Sequence, residues 1–107
     1  MDKLSAIDAL SALAHDARMD IFRLLVRAGG GGLPAGAISD RLGARQNTTS
    51  TNLAILTRAG LITARREGRS IIYTADFDGL RGLIGFLMKD CCAGADVDVA
   101  PLLAAIR

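Results

Sequence analysis

The segment between residues 33 and 75 restricts the fold of this chain more than any other, because it carries two short helical patterns followed at once by strand-like alternation. The first pattern, "PAGAISDRLG", opens with a proline suited to a first helical turn and stops at Gly43. The second pattern begins near Asn47, which can cap it, and ends at Gly60. Two short helices joined by a tight turn that contains glycine predict a helix-turn-helix arrangement.

The stretch that follows, "LITARREGRSIIYTAD", predicts a two-stranded β-hairpin. Apolar and polar residues alternate along it, β-branched residues are frequent, and the sequence Glu-Gly-Arg at 67–69 supplies a turn. The arginines around this turn give the hairpin a basic tip.

Three further segments have helical periodicity. Residues 4–14 and the stretch "HDARMDIFRLLVRA" predict two helices, the second capped by Asp16 and stopped by four glycines at 29–32. From Asp76 to residue 92 the period is helical again, with an apolar stripe that ends at Cys91. The predicted fold class is mainly α with a small β-hairpin: four helices, the hairpin and a fifth helix.

The composition fits one small domain built on aliphatic side chains. The chain has 107 residues, half of them hydrophobic, with only 4% aromatic residues and no tryptophan, so the core must come from Leu, Ile, Val and Ala. It lacks an apolar run of membrane-spanning length, and acids interrupt its first residues, where a signal peptide would be apolar. We therefore expect a cytoplasmic protein with no membrane partner.

Positive charge is concentrated in the middle of the chain. Residues 41–75 contain six arginines and one acid, whereas acids outnumber basic residues in the rest of a chain whose formal net charge is +2. A basic centre in an acidic frame is typical of a surface that attracts a polyanion. The alternative is a solvated face with no partner.

The second helix of the helix-turn-helix begins with a run of polar residues. If Leu53 and Leu56 face the core, most of this run lies on the outer side of the N-terminal end, where carboxamides and hydroxyls can bond base edges and phosphates in a major groove. The alternative is that these residues cap and turn the helix, but capping accounts for only one or two of them. Together with the basic hairpin, the run predicts DNA binding by Gln46, Asn47, Thr48, Ser50, Thr51 and Asn52.

Three segments resemble the ArsR/SmtB family of bacterial winged helix-turn-helix metalloregulators: "ALAHDARMDIFRLLV", "AISDRLGARQNTTSTNLAILTRAGLITARREGRSIIY" and the closing "CC". The resemblance implies a winged helix-turn-helix DNA-binding and dimerisation domain over residues 1–92 and a tail, residues 93–107, that is a short helix or mobile. It also implies a homodimer joined through the first and last helices, which binds a near-palindromic double-stranded DNA operator and releases it when an inducer binds. In this resemblance the wing serves DNA through Arg65, Arg66 and Arg69.

Both cysteines of the chain stand side by side in "MKDCCAG", at the predicted end of the last helix. The resemblance extends to family members with such a pair that sense trivalent arsenic, which implies Cys91 and Cys92 as ligands of an As(III) or Sb(III) inducer, with no constitutive cofactor. Those members usually add a third cysteine, and this chain has none. The third ligand is left open among water or hydroxide, glutathione, Asp96, His15 and a thiol of the second protomer.

Three alternatives belong to other functional classes. The sequence has no glycine-rich phosphate loop, no Gly-x-Ser-x-Gly elbow and no Cys-x-x-Cys pair, and its one histidine has no evident partner, so an enzyme is not predicted. The runner-up is a repressor that senses oxidants or persulfides through the same two thiols. The third is a DNA-binding regulator that responds to no ligand, in which Cys91 only completes the apolar stripe of a dimer helix.

Overall fold

A computed structural model of the protein describes residues 1–89. Its elements follow the predicted order of four helices, a hairpin and a fifth helix, so the mainly α fold with a small β-hairpin is confirmed. The two cysteines and the predicted tail lie outside the described residues. The helices are α1 (Lys3–Leu13), α2 (Asp16–Ala28), α3 (Ala35–Leu42), α4 (Gln46–Arg58) and α5 (Phe77–Leu87); the strands are β1 (Leu33–Pro34), β2 (Ile62–Glu67) and β3 (Ser70–Ala75); a 3₁₀ turn spans Gly29–Gly31.

The hydrophobic core lies where α2, α3 and α4 meet the base of the hairpin. Leu25 of α2, Ile38 of α3, Leu53 and Leu56 of α4, and Leu61 just before β2 are completely buried. Burying one such side chain stabilises a fold by about 1.5–3 kcal/mol relative to leaving it exposed. Every helix within residues 1–89 is too short or too polar to cross a membrane.

A very short strand that the sequence does not predict extends the hairpin into a three-stranded antiparallel sheet, in the order β1, β3, β2. Leu33 lies opposite Tyr73, and Pro34, which has no N–H to donate, is tolerated because β1 is an edge strand. The chain enters β1 through Gly32, whose φ is +65° and where a Cβ would overlap the carbonyl oxygen of Tyr73. Glycine is therefore required at this position, and β1 holds the base of the hairpin against the body.

Both N-caps predicted for the first half of the chain are displaced. His15, not Asp16, caps α2: its backbone is extended, and its Nδ1 accepts a hydrogen bond from the Arg18 backbone N–H at 3.5 Å. Asp16 is instead the first helical residue, where its charge complements the positive end of the helix dipole. The helix α4 begins one residue earlier than predicted, so Asn47 lies inside its first turn rather than before it.

The last helix begins as predicted and ends early. Asp76 caps α5, its Oδ1 accepting from the backbone N–H of Gly79 at 3.0 Å. The prediction that this helix continues to residue 92 is wrong, because α5 ends at Leu87. The Lys89 N–H then bonds the carbonyl of Phe86, three residues back, which tightens the turn and ends the α-helical ladder.

Candidate nucleic-acid interface

Short polar side chains form the exposed face of α4, the second helix of the helix-turn-helix. Gly43, in the left-handed conformation with φ of +62°, ends α3 and turns the chain toward α4. Five of the six residues predicted to bind DNA from this helix are exposed. They are Gln46, Asn47, Thr48, Ser50 and Thr51.

Asn52 does not share that face. Thr49, Asn52, Leu53 and Leu56 recur at the three- and four-residue spacing of one side of a helix, and all four are buried. Asn52 is only 5% exposed, and its Oδ1 accepts a hydrogen bond from Nη1 of Arg18 at 3.2 Å. The expectation that Asn52 lies on the outer side of α4 is therefore wrong, because its carboxamide oxygen bonds α2.

Some of the exposed polar groups of α4 are already used within the helix. Asn47 Oδ1 accepts from the backbone N–H of Thr48 at 2.8 Å, and the Thr51 hydroxyl donates to the carbonyl of Asn47 at 3.0 Å. The side chains of Gln46 and Ser50 make no hydrogen bond within residues 1–89. The first two turns of α4 therefore offer free carboxamide and hydroxyl groups near the backbone N–H groups of its positive dipole end, a combination that suits bases and phosphates.

The guanidinium of the predicted wing residue Arg65 bonds the body of the protein. Its Nη1 and Nη2 donate to the carbonyls of Gly30 and Gly31, each at 3.1 Å, and its Nε lies 3.1 Å from Oε1 of Glu67. Two carbonyls of the four-glycine segment thus accept hydrogen bonds from the Arg65 guanidinium, and no glycine side chain stands in the way. Arg65 anchors the wing to the loop that precedes the sheet.

The other two predicted wing residues stay on the surface. Arg66 lies on β2 and Arg69 in the turn of the hairpin, and both are exposed. Neither side chain makes a hydrogen bond or an ion pair within residues 1–89. Their charges are therefore available to a phosphate backbone, unlike that of Arg65.

The sequence contained a signal for Arg18 that our prediction missed. Arg18 lies three residues before Ile21 and seven before Leu25, on the stripe of α2 that faces the core. A charged residue on a buried stripe needs an acceptor nearby, and the structure supplies the Ala12 carbonyl at 2.7 Å and Asn52.

The helix α1 is apolar on two opposite sides. Its outer side carries Leu4, which is 73% exposed, and the partly exposed Ile7 and Leu10. Its inner side packs closely on the body through small residues. These are Ala6, Ala9 and Ala12. An outward stripe of large apolar side chains marks a surface for contact with another molecule.

A metal site is absent from the described part of the chain, where no three His, Cys, Asp or Glu side chains come together. His15, one of the candidates for a third ligand, is exposed and caps α2 through Nδ1. Cys91, Cys92 and Asp96 lie beyond residue 89, and the roles suggested for them stay predictions.

Known proteins are similar in sequence to this chain over most of its length. The profile of a family described as "Helix-turn-helix domain" matches residues 13–65. The transcriptional activator HlyU of Vibrio cholerae serotype O1 is 32% identical to this chain, and the match covers 86% of this chain and 84% of HlyU. The biofilm growth-associated repressor of Agrobacterium fabrum is 34% identical over 78% of this chain and 69% of its own length.

Solved structures share the fold as well. The homodimeric winged helix-turn-helix DNA-binding domain of a possible ArsR-family transcriptional regulator from Mycobacterium bovis superposes with a TM-score of 0.65, with 30% identity and 82% of each chain covered. A protein described as a possible transcriptional regulator for arsenical resistance superposes with a TM-score of 0.63 and 27% identity, over 94% of this chain and 96% of its own. With the polar face of α4 and the hairpin beside it, these likenesses show that the chain belongs to the ArsR/HlyU type of winged helix-turn-helix proteins, the DNA-binding transcriptional regulators.

Proposed function

We propose that the protein is a homodimeric repressor that binds a near-palindromic operator and releases it when trivalent arsenic or antimony binds Cys91 and Cys92. One observation supports this proposal above the others: α5 packs at its start on the turn that follows α4, and it ends at Leu87, four residues before the first cysteine. A ligand held by these thiols therefore acts close to a helix that contacts the DNA-binding unit.

Exposed apolar side chains on both terminal helices support the homodimer. Leu4 and Ile7 project from α1, and Leu87, which is 57% exposed, projects from α5, where only Leu83 is buried. The two helices contact each other within the protomer. A second copy of the chain would cover these side chains symmetrically, and the relative from Mycobacterium bovis is described as homodimeric.

A two-fold dimer accounts for a near-palindromic operator. Two copies of α4 would enter successive major grooves roughly 34 Å apart, one helical turn of DNA. Gln46 and Ser50, whose polar groups are free, would contact base edges, and the first-turn N–H groups of α4 would contact phosphate. Arg66 and Arg69 would bind the backbone beside the half-site.

The chemistry of the two cysteines supports a soft inducer. Thiolates select soft ions, and adjacent thiols converge on one atom most easily where a helix has ended, which agrees with the early end of α5 at Leu87. Trivalent arsenic prefers three sulfurs, so a water or hydroxide, glutathione, Asp96 or a thiol of the second protomer would complete the site. His15 is a weaker candidate, since its Nδ1 already accepts a hydrogen bond.

The contact between α5 and the turn after α4 provides a route from inducer to DNA. A Cβ on Gly79 of α5 would overlap the carbonyl oxygen of Gly60, which follows α4, and the Asp76 N–H bonds the carbonyl of Leu61 at 2.9 Å. Because the start of α5 is in close contact with this turn and hydrogen-bonded to it, a displaced α5 would carry the end of α4 with it. A coupling free energy of about 1–3 kcal/mol would release DNA roughly 5- to 150-fold.

The test is fluorescence anisotropy of the full-length protein on a labelled duplex from upstream of its own gene, titrated with arsenite or antimonyl tartrate. We expect release from the wild type and no release from Cys91→Ser or Cys92→Ser, while Ala93→Ser, a neighbouring change that keeps both thiols, responds like the wild type. If mass spectrometry shows arsenite bound to the protein and DNA affinity does not change, the proposed coupling is wrong.

The count of two thiols also favours a second candidate, a redox or persulfide sensor. The chain lacks the third cysteine that arsenic prefers, whereas one disulfide needs only two thiols, which give two electrons and two protons to an oxidant. Release by diamide or inorganic polysulfide, with no response to arsenite, would select this candidate and keep the DNA-binding function.

A further inference from the structure

Arg18 joins three helices at one point. Its Nε donates to the carbonyl of Ala12 at the end of α1 at 2.7 Å, and its Nη1 donates to Oδ1 of Asn52 in the middle of α4 at 3.2 Å. Its own backbone N–H, in the first turn of α2, donates to Nδ1 of His15. One guanidinium therefore connects the end of the outer helix α1 with the helix that faces DNA.

The helices α1 and α4 contact each other, and the surface between them is open beside this connection. An open groove of about 290 Å³ lies between them, lined by Asp8 and Ser11 of α1, by Ile55 and Arg58 of α4, and by Arg18 itself. Where apolar packing is interrupted in this way, the hydrogen bonds that cross the gap have a larger share in setting the distance between the helices.

The Asn52 end of the connection lies on the buried side of α4, beside the completely buried Leu53 and Leu56, and helps to hold that side inward. Asn52 is buried, and Ser50 and Thr51, the two residues before it, are exposed. Successive residues on a helix point about 100° apart, so a hydrogen bond that holds Asn52 inward also sets the direction of its neighbours. Rotation of α4 about its axis would break this bond and would turn the polar face away from a groove.

We infer that Arg18 and Asn52 form a positioning pair that sets the orientation of α4 relative to α1, and through α1 relative to the second protomer. Neither side chain contacts DNA; both act through the exposed residues of α4. The inference rests on the DNA-binding and homodimer parts of the proposed function and is independent of the inducer.

The experiment measures the affinity of wild type, Arg18→Met, Asn52→Ala and the double variant for the upstream duplex and for a scrambled duplex of equal length, at several salt concentrations. Each single change should weaken binding to the upstream duplex about tenfold, which corresponds to about 1.4 kcal/mol. The double variant should be no weaker than the more affected single variant, because both changes remove one interaction. Affinity for the scrambled duplex and the salt dependence should not change, since no phosphate contact is lost.

Two further variants separate positioning from folding and from direct contact. Arg23→Met removes the same charge from an exposed position of α2 and should behave like the wild type. Asn52→Asp keeps an acceptor for Arg18 and should stay within about twofold of the wild type, whereas at a DNA-contacting position the new negative charge would repel phosphate. Urea titrations show whether each variant is folded under the binding conditions. If Arg18→Met does not fold, the affinity of Asn52→Asp tests whether Asn52 positions α4 or contacts DNA.

Three outcomes would each overturn the positioning pair. The first is an additive loss of affinity in the double variant, and the second is a salt slope reduced by about 0.9 in Arg18→Met. The third is an Asn52→Asp variant that binds as weakly as Asn52→Ala. Failure of the DNA-binding function has a different signature, namely a wild type that binds the upstream and scrambled duplexes equally well. If only the inducer proposal is wrong, the affinities for the upstream and scrambled duplexes measured without arsenite are still those expected here.

Discussion

The Nη1 atom of Arg65, in strand β2, donates to the backbone carbonyl of Gly30, 35 residues earlier in the chain, at 3.1 Å. With its further bonds to Gly31 and Glu67, this guanidinium is largely committed within the protein. The wing is therefore held to the body by one arginine and presents others to solvent.

This division of roles predicts different salt dependence for the wing arginines. Arg66→Ala and Arg69→Ala should each weaken DNA binding and reduce the slope of log affinity against log salt by about 0.9, because each removes one phosphate contact. Arg65→Ala should leave that slope unchanged and should accelerate amide hydrogen exchange in β2 and β3, which lose their anchor. Anisotropy titrations at four salt concentrations and exchange measured by NMR check both expectations. An Arg65→Ala slope reduced as much as that of Arg66→Ala would show that Arg65 also contacts DNA.

Gly32 should tolerate no side chain. Its positive φ and the nearness of Tyr73 mean that Gly32→Ala strains the backbone and separates β1 from β3, at a cost of about 2–4 kcal/mol in the free energy of unfolding. Gly31→Ala, one residue earlier, is the matched control because a Cβ there meets nothing within 4 Å. Urea denaturation monitored by circular dichroism measures both. Equal stabilities would contradict the close approach of Gly32 to the strand.

The contact of Gly79 with Gly60 predicts that two helical glycines, Gly79 and Gly36, respond differently to substitution by alanine. Gly79→Ala would push α5 away from the turn after α4, so we expect the free energy of unfolding to fall by about 1–3 kcal/mol and DNA binding to weaken. Gly36→Ala, near the start of α3, has free space and should be neutral or stabilising by up to about 1 kcal/mol. Thermal unfolding and anisotropy distinguish the two variants, and unchanged DNA affinity in a folded Gly79→Ala protein would argue against coupling through this contact.

The outer stripe of α1 predicts an oligomer that one charge disrupts. Ile7→Glu would bury a carboxylate in the proposed dimer interface, so we expect a monomer in sedimentation velocity and loss of DNA binding. Met19→Glu is the control, since Met19 is an apolar residue of α2 with similar exposure, 40% against 47% for Ile7. A dimer that persists in Ile7→Glu would place the interface elsewhere.

The start of α1 should depend on pH through its cap. Asp2 Oδ1 accepts from the Ser5 N–H at 2.7 Å, and this hydrogen bond lowers the pKa of the Asp2 carboxyl below its usual value. The cap therefore stabilises α1 above the usual aspartate pKa and loses its effect as pH falls through the lowered pKa. We expect the Ser5 amide resonance to shift with that titration in the wild type and not in Asp2→Asn, which caps without titrating. An identical titration of Ser5 in both proteins would assign the shift to another group.

Local signals were sufficient to predict most of the secondary structure. Helical periodicity, the alternation of the hairpin and the stop at Gly43 each involve residues within a few positions of one another, so the printed sequence contains the interaction that forms them. The same spacing argument could have placed Asn52 inward, since it lies four residues before Leu56 and three after Thr49.

Contacts between residues distant in the sequence were not predictable in this way. The residues that bond Asn52 and Arg65 stand 34 and 35 positions earlier in the chain, and β1 exists only because β3 is available to pair with it. By itself, the sequence determined which segments are helices and strands and where polar and basic residues accumulate. The tertiary structure decided which of these residues face solvent and which hold the fold together, because a buried polar group must satisfy its hydrogen bonds with whatever partner the packing brings near.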